Sequence, residues 1–93
     1  VITAIVMIDT EVNRIPEAAA AIAELDSVTE VYSVTGDTDL VAIVRVRQHD
    51  QLADVIADQI SKVDGVLGTH TYIAFRAYSR HDIEQAFALG LGD

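Results

Sequence analysis

The chain of 93 residues contains no cysteine. That absence removes a disulfide framework, a thiolate zinc site and a cysteine nucleophile together. Basic residues are scarce: 6 Lys plus Arg stand against 15 Asp plus Glu, for a formal charge of −9. A nucleic-acid binder needs a concentrated basic face to displace counterions from phosphates, so direct binding of DNA or RNA by this chain alone is excluded. A basic membrane-surface helix is excluded on the same ground. Apolar runs are short and broken by charge, and none is long enough to span a bilayer. No basic n-region or small-residue cleavage site marks a signal peptide, and the compartment is read as cytoplasmic. There is no linker, internal repeat or low-complexity segment. What the chain has in quantity is apolar side chains, 51% of the total, too many for a disordered acidic segment. Such a length makes one domain with a high surface-to-volume ratio, for which oligomerisation is a standard remedy. The first residue is Val rather than Met, so either an initiator has been removed or the chain is part of something longer.

The elements follow from periodicity. Val1 to Ile8 is β-branched and almost wholly apolar, which reads as a strand covered on both faces. After the polar, turn-like stretch Asp9 to Asn13, Pro16 and Glu17 open a helix. Ile15, Ala18, Ala19, Ile22 and Leu25 form its apolar stripe. Val28 to Thr35 and Leu40 to Arg47 are strands joined by Gly36-Asp37-Thr38-Asp39, whose chemistry is that of an antiparallel hairpin. Leu52, Val55, Ile56, Gln59, Ile60 and Val63 define a second helix, with Asp50 as its N-cap and Gly65 just past its end. Thr69 to Tyr78 is a fourth strand. Ser79 begins a short final helix carrying Asp82, Ile83, Ala86 and Phe87. The order is βαββαβ plus a C-terminal helix, an α+β, ferredoxin-like arrangement with two helices on one face of a four-stranded antiparallel sheet.

The second sheet face carries the main functional clue. A half-covered sheet alternates apolar and polar residues. Here Ile2, Ala4, Val6 and Ile8 face one way and Val1, Ile5 and Met7 the other; Leu40, Ala42, Val44 and Val46 oppose Val41 and Ile43; Ile73 and Phe75 oppose Tyr72, Ala74 and Tyr78. Two helices bury only one of these sets, and soluble monomers rarely expose the other as a contiguous patch. Pairing two sheets face to face covers it. If roughly 800 Å² per partner is buried, just over half of it apolar, the gross transfer term is on the order of 20 kcal/mol, much of it lost to association entropy and polar desolvation. An obligate homodimer through Val41, Ile43, Tyr72 and Ala74 follows as the expectation. The alternative is that the tail helix folds back over the patch, although ten residues are too few to shield four strands.

Two segments resemble a known family: Val34-Thr35-Gly36-Asp37-Thr38-Asp39-Leu40, and Gly65-Val66 followed by Thr69-His70-Thr71-Tyr72-Ile73-Ala74-Phe75. Both are similar to the effector-binding (RAM) domain of the Lrp/AsnC transcriptional regulators. The resemblance covers about residues 1–78, leaving 79–93 as a C-terminal helix and tail without a family role. It implies a dimeric α/β barrel, often assembled further into a ring of four dimers, that binds amino acids where subunits meet and so alters gene control. The regulators carry an N-terminal helix-turn-helix domain, whereas here the first residue already lies in strand one; the chain looks like a stand-alone RAM domain or one cut from a regulator, able to co-assemble with a full-length Lrp/AsnC protein.

A free amino acid brings an ammonium and a carboxylate, and desolvating either without partners is expensive. Asp37 and Asp39 can accept from the ammonium, and backbone N–H groups around Gly36 can donate to the carboxylate because glycine allows close approach. Thr38 lies in the same hairpin, and Thr69 and Thr71 offer hydroxyls from one face of strand four. By resemblance, the ligand-binding set is Gly36, Asp37, Thr38, Asp39, Thr69 and Thr71. On residue type alone, Gly36 to Asp39 is an ordinary turn and the threonines are ordinary strand residues. His49, His70 and His81 lack metal-ligand spacing, so no metal or other cofactor is expected. Arg45 and Arg47 share the face of Val41 and Ile43, as dimer salt bridges or solvated edge residues. Tyr32, Tyr72 and Tyr78 read as interface packing. The functional expectation is a non-enzymatic, amino-acid-responsive module. The alternatives are a small dimeric α/β-barrel enzyme of monooxygenase or isomerase type, disfavoured because the core stripes carry no acid or base, and a purely structural assembly module. A phosphatase loop is opposed by the acidic Asp9-Thr10-Glu11, and the amino-acid-binding ACT domain is a close relative in shape.

Overall fold

The computed structural model describes residues 1–78 and Arg80. Strand β1 (Ile2–Thr10) leads through a tight turn at Val12–Arg14 into helix α1 (Ile15–Ala23). Pro16 occupies the first turn of α1, where its missing N–H costs nothing, and Glu17 faces the positive end of the helix dipole. Strands β2 (Val28–Ser33) and β3 (Leu40–Val46) form the expected antiparallel hairpin. Helix α2 begins at His49–Ala53, widens to π-helical turns over Asp54–Gln59 and tightens to a 3-10 turn at Ile60–Lys62. Strand β4 (Val66–Ala74) closes the domain. The sheet order is β2-β3-β1-β4 with every neighbouring pair antiparallel. This is the α+β, ferredoxin-like topology.

The core is the layer between sheet and helices. Ala4, Val6 and Ile8 of β1, Leu40, Ala42 and Val44 of β3, Ala18 and Ile22 of α1, and Ile60 in the closing 3-10 turn of α2 are all fully buried. The stripe read from the sequence for the first helix is the buried one, with Ile15, Ala19 and Leu25 packed at its margin.

The structure differs from expectation at several points: β1 runs on to Thr10 where the strand was expected to end at Ile8, and β2 ends at Ser33 where Thr35 was expected. Strand β4 runs from Val66 to Ala74, not from Thr69 to Tyr78, because Gly65 turns the chain and Val66 already pairs with Thr10. The cap of α2 is Gln48, not Asp50: the Gln51 side chain turns back so that its Oε1 accepts the N–H groups of Gln48 (3.0 Å) and Arg47 (2.9 Å). Asp50 sits in the first turn instead, where its charge suits the dipole. The second helix is also irregular where an even α-helix was expected. The terminal helix expected from Ser79 onward, with Asp82, Ile83, Ala86 and Phe87, lies outside the described residues.

Gly65 makes the turn into β4 possible. Its φ is +96°, and a Cβ there would sit 2.8 Å from the Cβ of Arg14. Over this contact the Glu11 N–H donates to the Gly65 carbonyl (2.8 Å), and the Arg14 guanidinium reaches Asp64 (2.6 Å). The start of α1 and the start of β4 are thereby locked together.

Candidate functional site

The strand register settles which side chains share each face. In β1–β3 the pairs Met7–Val41, Ile5–Ile43 and Thr3–Arg45 point away from the helices; in β1–β4, Met7–His70, Ile5–Tyr72 and Thr3–Ala74 point the same way. Tyr32 joins them opposite Val41, and Glu30 opposite Ile43. The face that no described helix covers is therefore an apolar field of Ile5, Met7, Val41, Ile43, Tyr32, Tyr72 and Ala74 with a polar margin. Within it Ile5, Met7, Val41 and Ile43 are only half-buried, and Tyr72 is 58% exposed. The two-faced character read from the strands is present, and Val41, Ile43, Tyr72 and Ala74 lie together on that face. At its edge the Tyr32 hydroxyl donates to Glu30. That hydrogen bond, and then the charge of the carboxylate, hold the Tyr32 phenol above its ordinary ionisation range.

The β2–β3 hairpin folds over one end of this face. Val34 N–H donates to the Asp39 carbonyl (3.1 Å), and Gly36 takes a φ of +118° with no atom within 4 Å of the Cβ position. Two side chains tie the hairpin to β1. The Thr38 hydroxyl donates to the Ile8 carbonyl (3.0 Å), with the Leu40 carbonyl at 3.4 Å. The Asp39 carboxylate accepts the Thr10 N–H (2.9 Å), while the Asp39 N–H returns to the Ile8 carbonyl (3.2 Å). The strap leaves a cleft of about 280 Å³ lined by Met7, Asp9, Asp37, Thr38, His70 and Tyr72.

Of the residues singled out in the sequence, the structure brings Asp37 and Thr38 to this cleft, with Gly36 beside them in the hairpin. Asp39 is turned to structural work on β1. Thr69 and Thr71 pair with Ile8 and Val6, so their side chains point to the helix-side face and the structure does not place them in the cleft. Sequence reasoning missed Met7, Asp9 and His70 as cleft residues. Continuing the two-residue alternation of β1 one step past Met7 would have put Asp9 on the open face, and the antiparallel return of β4 would have put His70 opposite Met7. Among the described residues no group of three or more His, Asp or Glu side chains is placed to hold a metal ion, and no helix is long and apolar enough to cross a membrane.

The βαββαβ order and the four-stranded antiparallel sheet are those that the resemblance implies. The family model of the Lrp/AsnC ligand binding domain matches residues 3–83. The chain belongs to the Lrp/AsnC ligand binding domain family. It is similar to the HTH-type transcriptional regulator LrpA1 of Halobacterium salinarum, at 43% identity over 67 residues, 72% of this chain and 47% of that protein. Among solved structures it is similar to TTHA0845 of Thermus thermophilus, at 50% identity and a TM-score of 0.81, covering 86% of this chain and 100% of that one. It is also similar to the leucine response regulatory protein (LrpA) of Mycobacterium tuberculosis, at 25% identity and a TM-score of 0.72, covering 84% of this chain and 53% of that one. The chain thus spans about half the length of the curated regulators it matches, and the family is one of transcriptional regulation.

Proposed function

We propose that this domain is a non-enzymatic sensor that binds a free amino acid in the hairpin cleft and acts as an assembly of copies paired through their open sheet faces. The observation that carries the reading is the cleft's mixed lining. Asp9 and Asp37 supply acceptors for an ammonium group. The Tyr72 hydroxyl, the His70 ring and the backbone N–H groups around Gly36 supply donors for a carboxylate, and Met7 supplies an apolar wall. Both charged ends of an amino acid can then leave water with partners. The name of the Mycobacterium tuberculosis relative, a leucine response protein, supports the same ligand class.

Pairing of open faces covers the half-buried Ile5, Met7, Val41 and Ile43 and the exposed Tyr72, and it brings two clefts toward a common interface. Dimers of this kind assemble further into a tetramer of dimers, and the amino acid biases that assembly. The output is gene control in the cytoplasm, exerted with a DNA-binding regulator and not by direct contact of this domain with nucleic acid. An enzymatic role is opposed by the core: its buried polar member among the described residues is Thr10, with no buried histidine or carboxylate to act as acid or base.

A thermal-shift screen over the twenty amino acids tests the reading. Ligand at ~100 times Kd adds ~2.7 kcal/mol, so one or a few amino acids raise the melting temperature by several degrees. No response to any of them at millimolar concentration would overturn it and leave a purely structural assembly module.

A further inference from the structure

The polar groups of the cleft are unevenly divided between acceptors and donors. The Asp9 and Asp37 carboxylates accept only, and neither has a hydrogen-bond or ion-pair partner among the described residues. Thr38 would ordinarily offer both, but its proton is committed to the Ile8 carbonyl, so only its lone pairs remain. Among the described residues the side-chain donors are the Tyr72 hydroxyl and the His70 ring, and no Lys or Arg lines the cleft.

This imbalance constrains the ligand. A neutral amino acid places its ammonium on one carboxylate and its own carboxylate on the donors. The second aspartate then stays unpaired, and its charge opposes the ligand's own carboxylate within one small cleft. An acidic side chain adds repulsion. A second cation on the ligand pairs the remaining aspartate and meets the Thr38 lone pairs with N–H groups. We infer that the cleft selects amino acids with a cationic side chain, diamino or guanidino acids, whose two nitrogen centres are shared between Asp9 and Asp37; this rests on the amino-acid reading above. An ammonium supplies three donors and a guanidinium a planar fork, and both suit a carboxylate.

Titration calorimetry on the full chain at low salt, with near-isosteric ligands differing in charge, tests it. The pairs are lysine against norleucine and arginine against citrulline. The charged member of at least one pair binds about tenfold more tightly or better, which corresponds to ~1.4 kcal/mol, and the advantage shrinks in about 0.5 M salt, where the Debye length is only a few ångströms. Asp9→Asn and Asp37→Asn each reduce the advantage while leaving the unliganded melting temperature unchanged, because neither carboxylate supports the fold. Equal affinities within both pairs would overturn the charge selection and leave amino-acid binding standing. Absence of binding by any amino acid would overturn both, so the two failures are distinguishable.

Discussion

Replacing Asp39 with Ala separates the structural from the ligand-binding use of the hairpin. In the folded chain the Asp39 carboxylate accepts the Thr10 N–H at 2.9 Å in a partly buried setting. Thr10 itself is only 3% exposed, so water cannot readily replace the lost acceptor. A hydrogen bond to a charged group contributes about 1.5–3 kcal/mol, and a domain of this size loses about 4–8 °C per kcal/mol. Asp39→Ala therefore lowers the melting temperature by roughly 12 °C, taking about 2 kcal/mol and 6 °C per kcal/mol as central values. Asp39→Asn keeps an acceptor oxygen and loses about half as much. Asp37→Ala, two residues away on an exposed side chain without such a bond, stays within about 0.5 kcal/mol of the parent. The assay is circular dichroism melting of all four proteins at one protein concentration, since association makes melting concentration-dependent. Equal melting of the Asp39→Ala and Asp37→Ala variants would refute the argument that Asp39 anchors β1.

Further outcomes follow from the same contacts. Gly36→Ala meets no atom and costs only the left-handed backbone term of about 1–2 kcal/mol; Gly65→Ala adds a 2.8 Å collision with Arg14 and is the more destabilised in urea unfolding. Tyr32 ionises above the ordinary phenol value of about 10. Its contact with Glu30 therefore stabilises the fold below that pH and is lost as pH rises through the raised value. Glu30→Gln brings the 295 nm titration back down, and an unchanged curve would contradict the assignment. Thr69→Val and Thr71→Val, on the helix-side face, leave an amino-acid-induced melting shift intact, while Tyr72→Ala diminishes it.

The parts of the fold that were legible in the sequence are those governed by a short period. Alternation in β1 and β3 separates Ala4, Val6, Ile8, Leu40, Ala42 and Val44 from Ile5, Met7, Val41 and Ile43, and the structure buries the first set beneath the helices. The hairpin at Gly36 and the left-handed turn at Gly65 are equally local, since both need a backbone that glycine adopts freely. What escaped is non-local. Asp9 follows the alternation of β1 onto the open face, but it becomes a cleft residue only where the β2–β3 hairpin meets β1, and His70 acquires a place only when it faces Met7. Thr69 and Thr71 share a face, as their spacing requires, but which face depends on pairing with Ile8 and Val6. Asp39 shows the limit of residue type: a turn aspartate and a ligand aspartate look alike until one oxygen is found on the Thr10 N–H.

Cover of the open sheet face by a second copy is the proposal on which the ligand cleft depends. Sedimentation equilibrium at micromolar concentration tests it most directly, on the parent chain and on Ile43→Asp, which buries a charge in the middle of that face. The expected result is a parent mass of at least twice the 10.0 kDa of one chain and a shift of Ile43→Asp toward a single chain. A folded parent that sediments as one 10.0 kDa chain would contradict it.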